Sequence, residues 1–312
     1  MFHKAGSYFQ FKALGILTLV FLVCHLSSSA QDSVTLVKYK PKTQLIDSIK
    51  RFITTDLKMN VQSNFYTHWK EPSSDSMFIY FYISRPDRVE YDTTNKISWT
   101  FESDSLALAT AREMTEKGFH TLVYRTAGMS NTLLTPKLLS YADEAIAFIC
   151  FHEVVHQNLQ KMGGTVHYNY EEALCDVIAN VACVRFAETT HMIDIHAAEK
   201  QRDIFERLYA FMNKERSILD TMQQQNKPAL YQLCTNTISM LTTDANQFVK
   251  DRMNYEVNNA YFLRISSYAL SYFKMKELFD ISNSFADVVN RIEDLQNKRL
   301  SLKGSFFSLP SK

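Results

Sequence analysis

The 312-residue sequence predicts an α+β fold, a small mixed sheet followed by a mainly helical lobe, and three observations carry that prediction. Glycine and proline are scarce, at 7 and 6 residues, which disfavours turn-rich β architectures. The segments that read as strands all precede residue 135. Beyond it, apolar residues recur at helical spacing almost to the end of the chain. With 46% apolar residues the chain has material for a substantial core. The formal charge is +1, from 34 basic and 33 acidic residues, and no block of like charge points to nucleic acid or an anionic membrane surface as partner.

The elements are taken in chain order. Lys4 and Lys12 lead into the apolar run Ala13 to Leu26, and Ser28-Ser29-Ala30 offers small residues where a signal peptidase reads. Residues 1–30 therefore read as an export signal cleaved after Ala30, and the mature protein is expected in the periplasm or outside the cell. The run is too short to serve as a stable membrane span. Cys24 raises a lipoprotein anchor as the lesser alternative, because Val23 before it is not the small residue that lipidation favours.

Leu45 to Leu57 has helical spacing. Met77 to Ser84, between Pro72 and Pro86, reads as a strand, and Ile97 to Phe101 as another. Ser105 to Lys117 is a helix stopped by Gly118, with His120 to Thr126 a strand directly after it. Thr135-Pro136 has the form of an N-cap with proline in the first helical position, and one helix is expected from there to about Lys161. Its stretch Ala145 to Phe151 is apolar all round, so that helix should be buried. Gly163-Gly164 makes a turn, and a second long helix is expected from Asn169 to about Glu188. His196 to Lys298 reads as three or four amphipathic helices, interrupted near Pro228 and around Asn254. The organisation is then a leader (1–30), an α/β part (31–135) and a helical part (136–312), the last two forming one domain.

Four cysteines follow the leader: Cys150, Cys175, Cys183 and Cys234. Cys175 and Cys183 share one helix, about 12 Å apart along its axis, too far to bridge each other. Their spacing fits no cysteine zinc site, and buried free thiols are expected.

Residues 152–156 read His-Glu-Val-Val-His. Positions four apart lie on one helical face, so His152 and His156 present two imidazoles to a single point, and neutral imidazole is a good Zn2+ ligand. Glu153, offset by one residue, stands beside such a metal and can take a proton from its water as general base. Placing these three polar groups on an otherwise apolar helix is costly unless they have partners. A third ligand is required. Glu172 and Asp176 again share a face, one able to bind the metal and the other to accept the distal N–H of a ligand histidine from the second shell. Two other readings compete: Asn169 to Glu172 also has the form of a capping box, and Glu171 could ligate in place of Glu172.

His152-Glu153-x-x-His156 with Glu172-x-x-x-Asp176 resembles the gluzincin metallopeptidases. That resemblance implies a zincin-like fold, zinc on His152, His156 and Glu172, and Glu153 activating water. Ala107 to Gly118, Tyr124 to Leu134, Phe151 to Gln157 and Asn258-Asn259-Ala260 with Tyr268 are similar to the bacterial family of predicted aminopeptidases, in order and approximate spacing. The likeness runs from about residue 100 to 275. The gluzincin resemblance implies an edge strand upstream of the motif, at Tyr124 to Ser130, that holds a peptide or protein substrate by β-pairing; Tyr124, Ala127, Gly128 and Asn259 are the expected substrate contacts. Tyr268 is the oxyanion donor favoured over Tyr124, Tyr170 and His167. Tyr124 to Asn131 contains no acid to hold a free amine, although Glu102, Asp143 or Glu144 could supply one. The expected function is a zinc-dependent peptide-bond hydrolase, an aminopeptidase. An exported endopeptidase and a non-catalytic binding protein on the same fold are the alternatives.

Overall fold

The structure is a computed structural model that describes residues 42–63, 65–66, 68–69, 78–89, 98–101, 103–126, 133–163 and 166–306. The leader, Cys24, Glu102, Ala127, Gly128, Asn131 and Gly164 lie outside the described residues. By its contacts the chain divides into residues 1–45 and 46–312. The second unit carries the strands and helices that position the candidate site.

A helix over residues 42–55 (α1) is followed by β1 (His68–Trp69), β2 (Phe78–Ser84) and β3 (Ser98–Phe101), then α2 (Asp104–Glu116), β4 (His120–Thr126) and β5 (Leu133–Leu134). The helical part comprises α3 (Pro136–Ser140), α4 (Asp143–Lys161), α5 (Tyr168–Thr190), α6 (Ile195–Thr221), α7 (Lys227–Leu241), α8 (Gln247–Met253), α9 (Asn259–Asp280) and α10 (Phe285–Phe306). The mixed α and β content agrees with the predicted class, and helix dominates.

The larger sheet has the order β3-β2-β4 and is antiparallel throughout. Phe78 pairs with Thr126 and Ser84 with His120, so β2 lies in the middle and β4 forms an edge among the described residues. β1 and β5 make a separate parallel pair that the sequence does not predict. Two residues per strand are too few to leave a period-2 pattern. Gly118 ends α2 at φ 85°, a conformation that other residues adopt only with strain.

Two expectations in the helical part need correction. The single helix from residue 136 is two, because Tyr141 and Ala142 adopt extended backbone between α3 and α4. The Tyr141 hydroxyl donates to Asp251 in α8, a tertiary bond that local propensity does not register. The chain beyond His196 forms five α-helices, not three or four. The breaks near Pro228 and Asn254 are present, and two further breaks precede Asn246 and follow Asp280. The Asn246 side chain caps α8 by accepting the Val249 N–H, and the Ser284 hydroxyl accepts that of Asp287.

The core sits where α5 meets α4, α6 and α9. Phe52 of α1 packs edge-on against Phe151 of α4 and Phe186 of α5. α4 is buried from Ala145 to Val155, as its all-round apolar stretch predicts. α9 was expected to be amphipathic, yet every residue from Asn259 to Ala269 is buried, because it packs on the sheet through β2 and β4 and on α5 and α6. All four cysteines are buried and free.

Candidate metal centre

α4 and α5 are joined by a turn in which Gly163 takes φ 103°. As histidine numbers rise along α4, their partners' numbers fall along α5, so the helices run antiparallel. His152 Nδ1 lies 2.8 Å from Asp176 Oδ1, and His156 Nδ1 lies 2.7 Å from Glu171 Oε1. A carboxylate can only accept, so each Nδ1 carries a proton, and in the neutral imidazole each Nε2 keeps its lone pair. These two Nε2 atoms stand 3.1 Å apart. Two different oxygens of Glu172 face them, Oε2 3.5 Å from His152 Nε2 and Oε1 3.7 Å from His156 Nε2. Among the described residues the buried Glu172 Oε2 atom has no hydrogen-bond donor. Two imidazoles and a carboxylate thus converge, an arrangement that suits a positive charge.

The titration of these groups points the same way. Burial alone would depress the His152 imidazole, but the carboxylates of Asp176 and Glu172 outweigh it and hold the group above its ordinary value. Burial is likewise overcome at His156, by the Glu172 and Glu171 carboxylates, and its pKa stands well above the ordinary one. Glu172 would be pushed up by burial, yet the two imidazoles hold it well below the carboxylate range. For Glu153, burial dominates and raises its carboxyl, against the opposing pull of both histidines.

Cys175, three residues after Glu172, also enters the cluster: its thiol and the two imidazoles offer ligand atoms within 4.8 Å of one another. The spacing argument against a cysteine ligand overlooked that Glu172-x-x-Cys175 shares a helical face. Glu172 and Cys175 both stand beside the two imidazoles: the two Glu172 oxygens reach one Nε2 each, and burial pushes the Cys175 thiol, with no metal bound, up to about 12. The capping-box reading of Glu172 fails, because α5 begins at Tyr168 and Asn169 lies inside it.

Asp176 is fully buried, and three donors converge on it. Besides His152 it accepts Arg252 Nη2 at 2.7 Å and a short hydrogen bond from the Tyr209 hydroxyl. Burial would raise its carboxyl, and the Arg252 guanidinium leads the effects that hold it below the ordinary range. Arg252 and Tyr209 are not among the residues the sequence singles out, since neither lies near the motif in the chain. Tyr66 is a further addition: it sits at φ 45°, its buried hydroxyl has no hydrogen-bond partner among the described residues, and burial, followed by the Glu153 charge, raises it well above its ordinary value.

Tyr268 lies beside the cluster, its ring 6.4 Å from that of His152 and 4.3 Å from the Arg252 guanidinium carbon. Tyr124 projects from β4 onto the Arg264 guanidinium, 3.6 Å from ring centroid to carbon. On the same edge strand the Arg125 N–H donates to the Tyr255 hydroxyl at 3.3 Å, so a phenol occupies an amide that a substrate backbone could use. Asn259, expected to touch substrate, is fully buried and committed internally. Its amide donates to the Arg85 and Pro86 carbonyls and accepts from the Tyr231 hydroxyl. Its place at the start of α9 suits a clamp between helix and sheet. Glu144, considered for a substrate amine, instead accepts from Asn246. Tyr170 is buried with its ring 6.4 Å from that of His167.

Among the described residues no helix is long and apolar enough to cross a membrane. A family model described as "Putative aminopeptidase" matches residues 99–303, and the chain belongs to that family. No curated protein and no solved structure matches the chain.

Proposed function

We propose, with membership of that family as the premise, that the chain is an exported zinc-dependent peptide-bond hydrolase of gluzincin type on a zincin-like fold, and that it removes N-terminal residues. The observation that carries the reading is the convergence of His152 Nε2, His156 Nε2 and the Glu172 carboxylate, with both Nδ1 atoms pinned from behind. Donors around a tetrahedral ion with bonds of about 2.0–2.1 Å stand about 3.4 Å apart; the two Nε2 atoms are 3.1 Å apart, and each has one Glu172 oxygen within 3.7 Å. Two neutral imidazoles and a carboxylate are a donor set that suits zinc with one position left open.

Bound there, zinc would polarise the scissile carbonyl and lower the pKa of the attacking water. Glu153 accepts the proton of that water and delivers it to the leaving amine. A buried carboxylate with a raised pKa suits both halves of that exchange. Asp176 and Glu171 hold the two imidazoles in the tautomer that turns Nε2 inward. Tyr268 is the donor assigned to the oxyanion, on its position beside His152. The free edge of β4 holds the substrate backbone, the Arg125 amide exchanging the Tyr255 phenol for a peptide carbonyl. The leader at residues 1–30 directs the protein out of the cytoplasm.

An endopeptidase is the second reading, favoured by the lack of an acid in Tyr124 to Asn131 that could hold a free ammonium. The two are separated by offering one peptide with a free and with an acetylated N-terminus and weighing the products. Stepwise loss of single residues from the free form alone supports the aminopeptidase. Equal internal cleavage of both forms overturns it.

A further inference from the structure

Arg264 lies in the second turn of α9, wholly buried, one helical turn before Tyr268. Its Nη1 donates to the Arg252 carbonyl at 2.9 Å, while Nε and Nη2 have no hydrogen-bond partner among the described residues. Those two N–H groups lie along one edge of the guanidinium and point the same way, the geometry that grips a carboxylate through two parallel hydrogen bonds. Arg264 forms no ion pair among the described residues, and the neutral phenol rings of Tyr124, Tyr255 and Tyr268 surround it.

Two of these rings stack near the guanidinium, with Tyr124 at 3.6 Å and Tyr255 at 5.7 Å. Both are only partly buried, so Arg264 is one aromatic ring from solvent. Tyr255 is also the residue whose hydroxyl occupies the Arg125 amide on the edge of β4. A strand pairing with that edge would displace it and uncover the guanidinium. On the other side, Arg264 stands 5.9 Å from the Tyr268 ring, which adjoins His152. An unpaired buried charge is costly to keep, and this one lies between the strand edge and the metal centre.

We propose that Arg264 determines substrate specificity, its Nε–Nη2 edge receiving a carboxylate of the bound peptide close to the scissile bond. The inference rests on the peptidase reading for its substrate class. The carboxylate comes from either of two sources, the C-terminus of a very short peptide or an Asp or Glu side chain.

Binding to the zinc-loaded full chain carrying Glu153→Gln tests this without turnover. Three probes are titrated by calorimetry: Ala-Ala amide, Ala-Ala with its free carboxylate, and Ala-Glu amide. At least one carboxylate probe should bind ~10-fold or more tightly than Ala-Ala amide, as expected for a desolvated charge pair. Which one does so identifies the source. In Arg264→Lys, which keeps the charge and loses the paired edge, that preference should shrink toward one. Three affinities within threefold of each other, absent binding of every probe, or a preference that survives Arg264→Lys overturns the proposal. Should Arg264→Lys fail to fold, Arg264→Met takes its place, and the probe comparison on the Arg264-containing protein decides by itself whether a carboxylate is preferred. A failure of the peptidase reading would show separately, as absence of turnover by the chain with Glu153 intact.

Discussion

His152 and His156 stand one helical turn apart on α4, and the carboxylates behind them differ in setting. Behind His152, Asp176 is fully buried and also bonded to Arg252 and Tyr209. Behind His156, the Glu171 side chain is 24% exposed, on the first turn of α5, and no cation or phenol is bonded to it among the described residues. The imidazole–carboxylate distances are nearly equal, 2.8 and 2.7 Å. What differs is how much reorganisation water permits when the carboxylate is changed. A partner held from three sides in a dry core fixes a ligand's direction, whereas one at the surface can be replaced by solvent. The first histidine is therefore the rigid half of the site and the second the adaptable half.

The largest effect should come from between the two. Glu153→Gln removes the only proposed base while leaving both supports intact, and kcat should fall ~10²–10⁴-fold with zinc content unchanged. Near-normal turnover by that variant would remove Glu153 from the mechanism. Next in size is Asp176→Asn. It places an amide where His152 needs an acceptor and where Arg252 needs an anion, and zinc affinity measured by competition with a chelator should drop ~10–100-fold. Glu171→Gln should weaken zinc by less than ~10-fold, because solvent can reach the space beside His156. If the two substitutions cost the same, or Glu171 the more, the rigid and adaptable halves are wrongly assigned.

Proton linkage gives a subtler contrast. Both histidines titrate above the ordinary 6.5 in the folded chain without metal. Their contribution to stability is fully present below about 6.5, and it is lost as pH rises through the higher folded values. Thermal unfolding in chelator should accordingly show Tm falling as pH is raised from 6.5, with less of a fall in Asp176→Asn. Zinc should restore Tm at the alkaline end. A Tm independent of pH in that range would mean the imidazoles gain nothing from their carboxylates.

Local patterns in the sequence reveal much of this architecture. The spacing of His152 and His156, and of Glu172 and Asp176, depends only on the pitch of an α-helix, so the faces they share are legible in the sequence. The strand at His120 to Thr126 and the burial of Ala145 to Phe151 follow from residue type in the same way. Arg252 and Tyr209 could not be found so. They lie 76 and 33 residues from Asp176, and only tertiary packing brings them to it. Arg264 hides for a different reason. A charged residue in a helix reads as a solvent-facing one, and the first half of α9 is buried on all sides only because the sheet, α5 and α6 enclose it. Asn259 differs again: a polar residue in a stretch shared with a family invites a substrate role, and in the fold its amide is buried and hydrogen-bonded internally. Cys175 is the intermediate case: helical spacing from Glu172 was there to be read, but nothing in it says how near the thiol comes to the imidazoles.

That thiol also defines the measurement on which the assignment of the metal centre depends most. X-ray absorption at the zinc edge, on protein loaded with the metal and freed of excess, counts the ion and identifies its ligand atoms together. The expected result is about one zinc per chain, with a nitrogen and oxygen shell at about 2.0–2.1 Å, imidazole scattering from two histidines, and no sulfur. Failure to take up zinc, or a sulfur scatterer at about 2.3 Å from Cys175, would contradict a catalytic centre built on His152, His156 and Glu172.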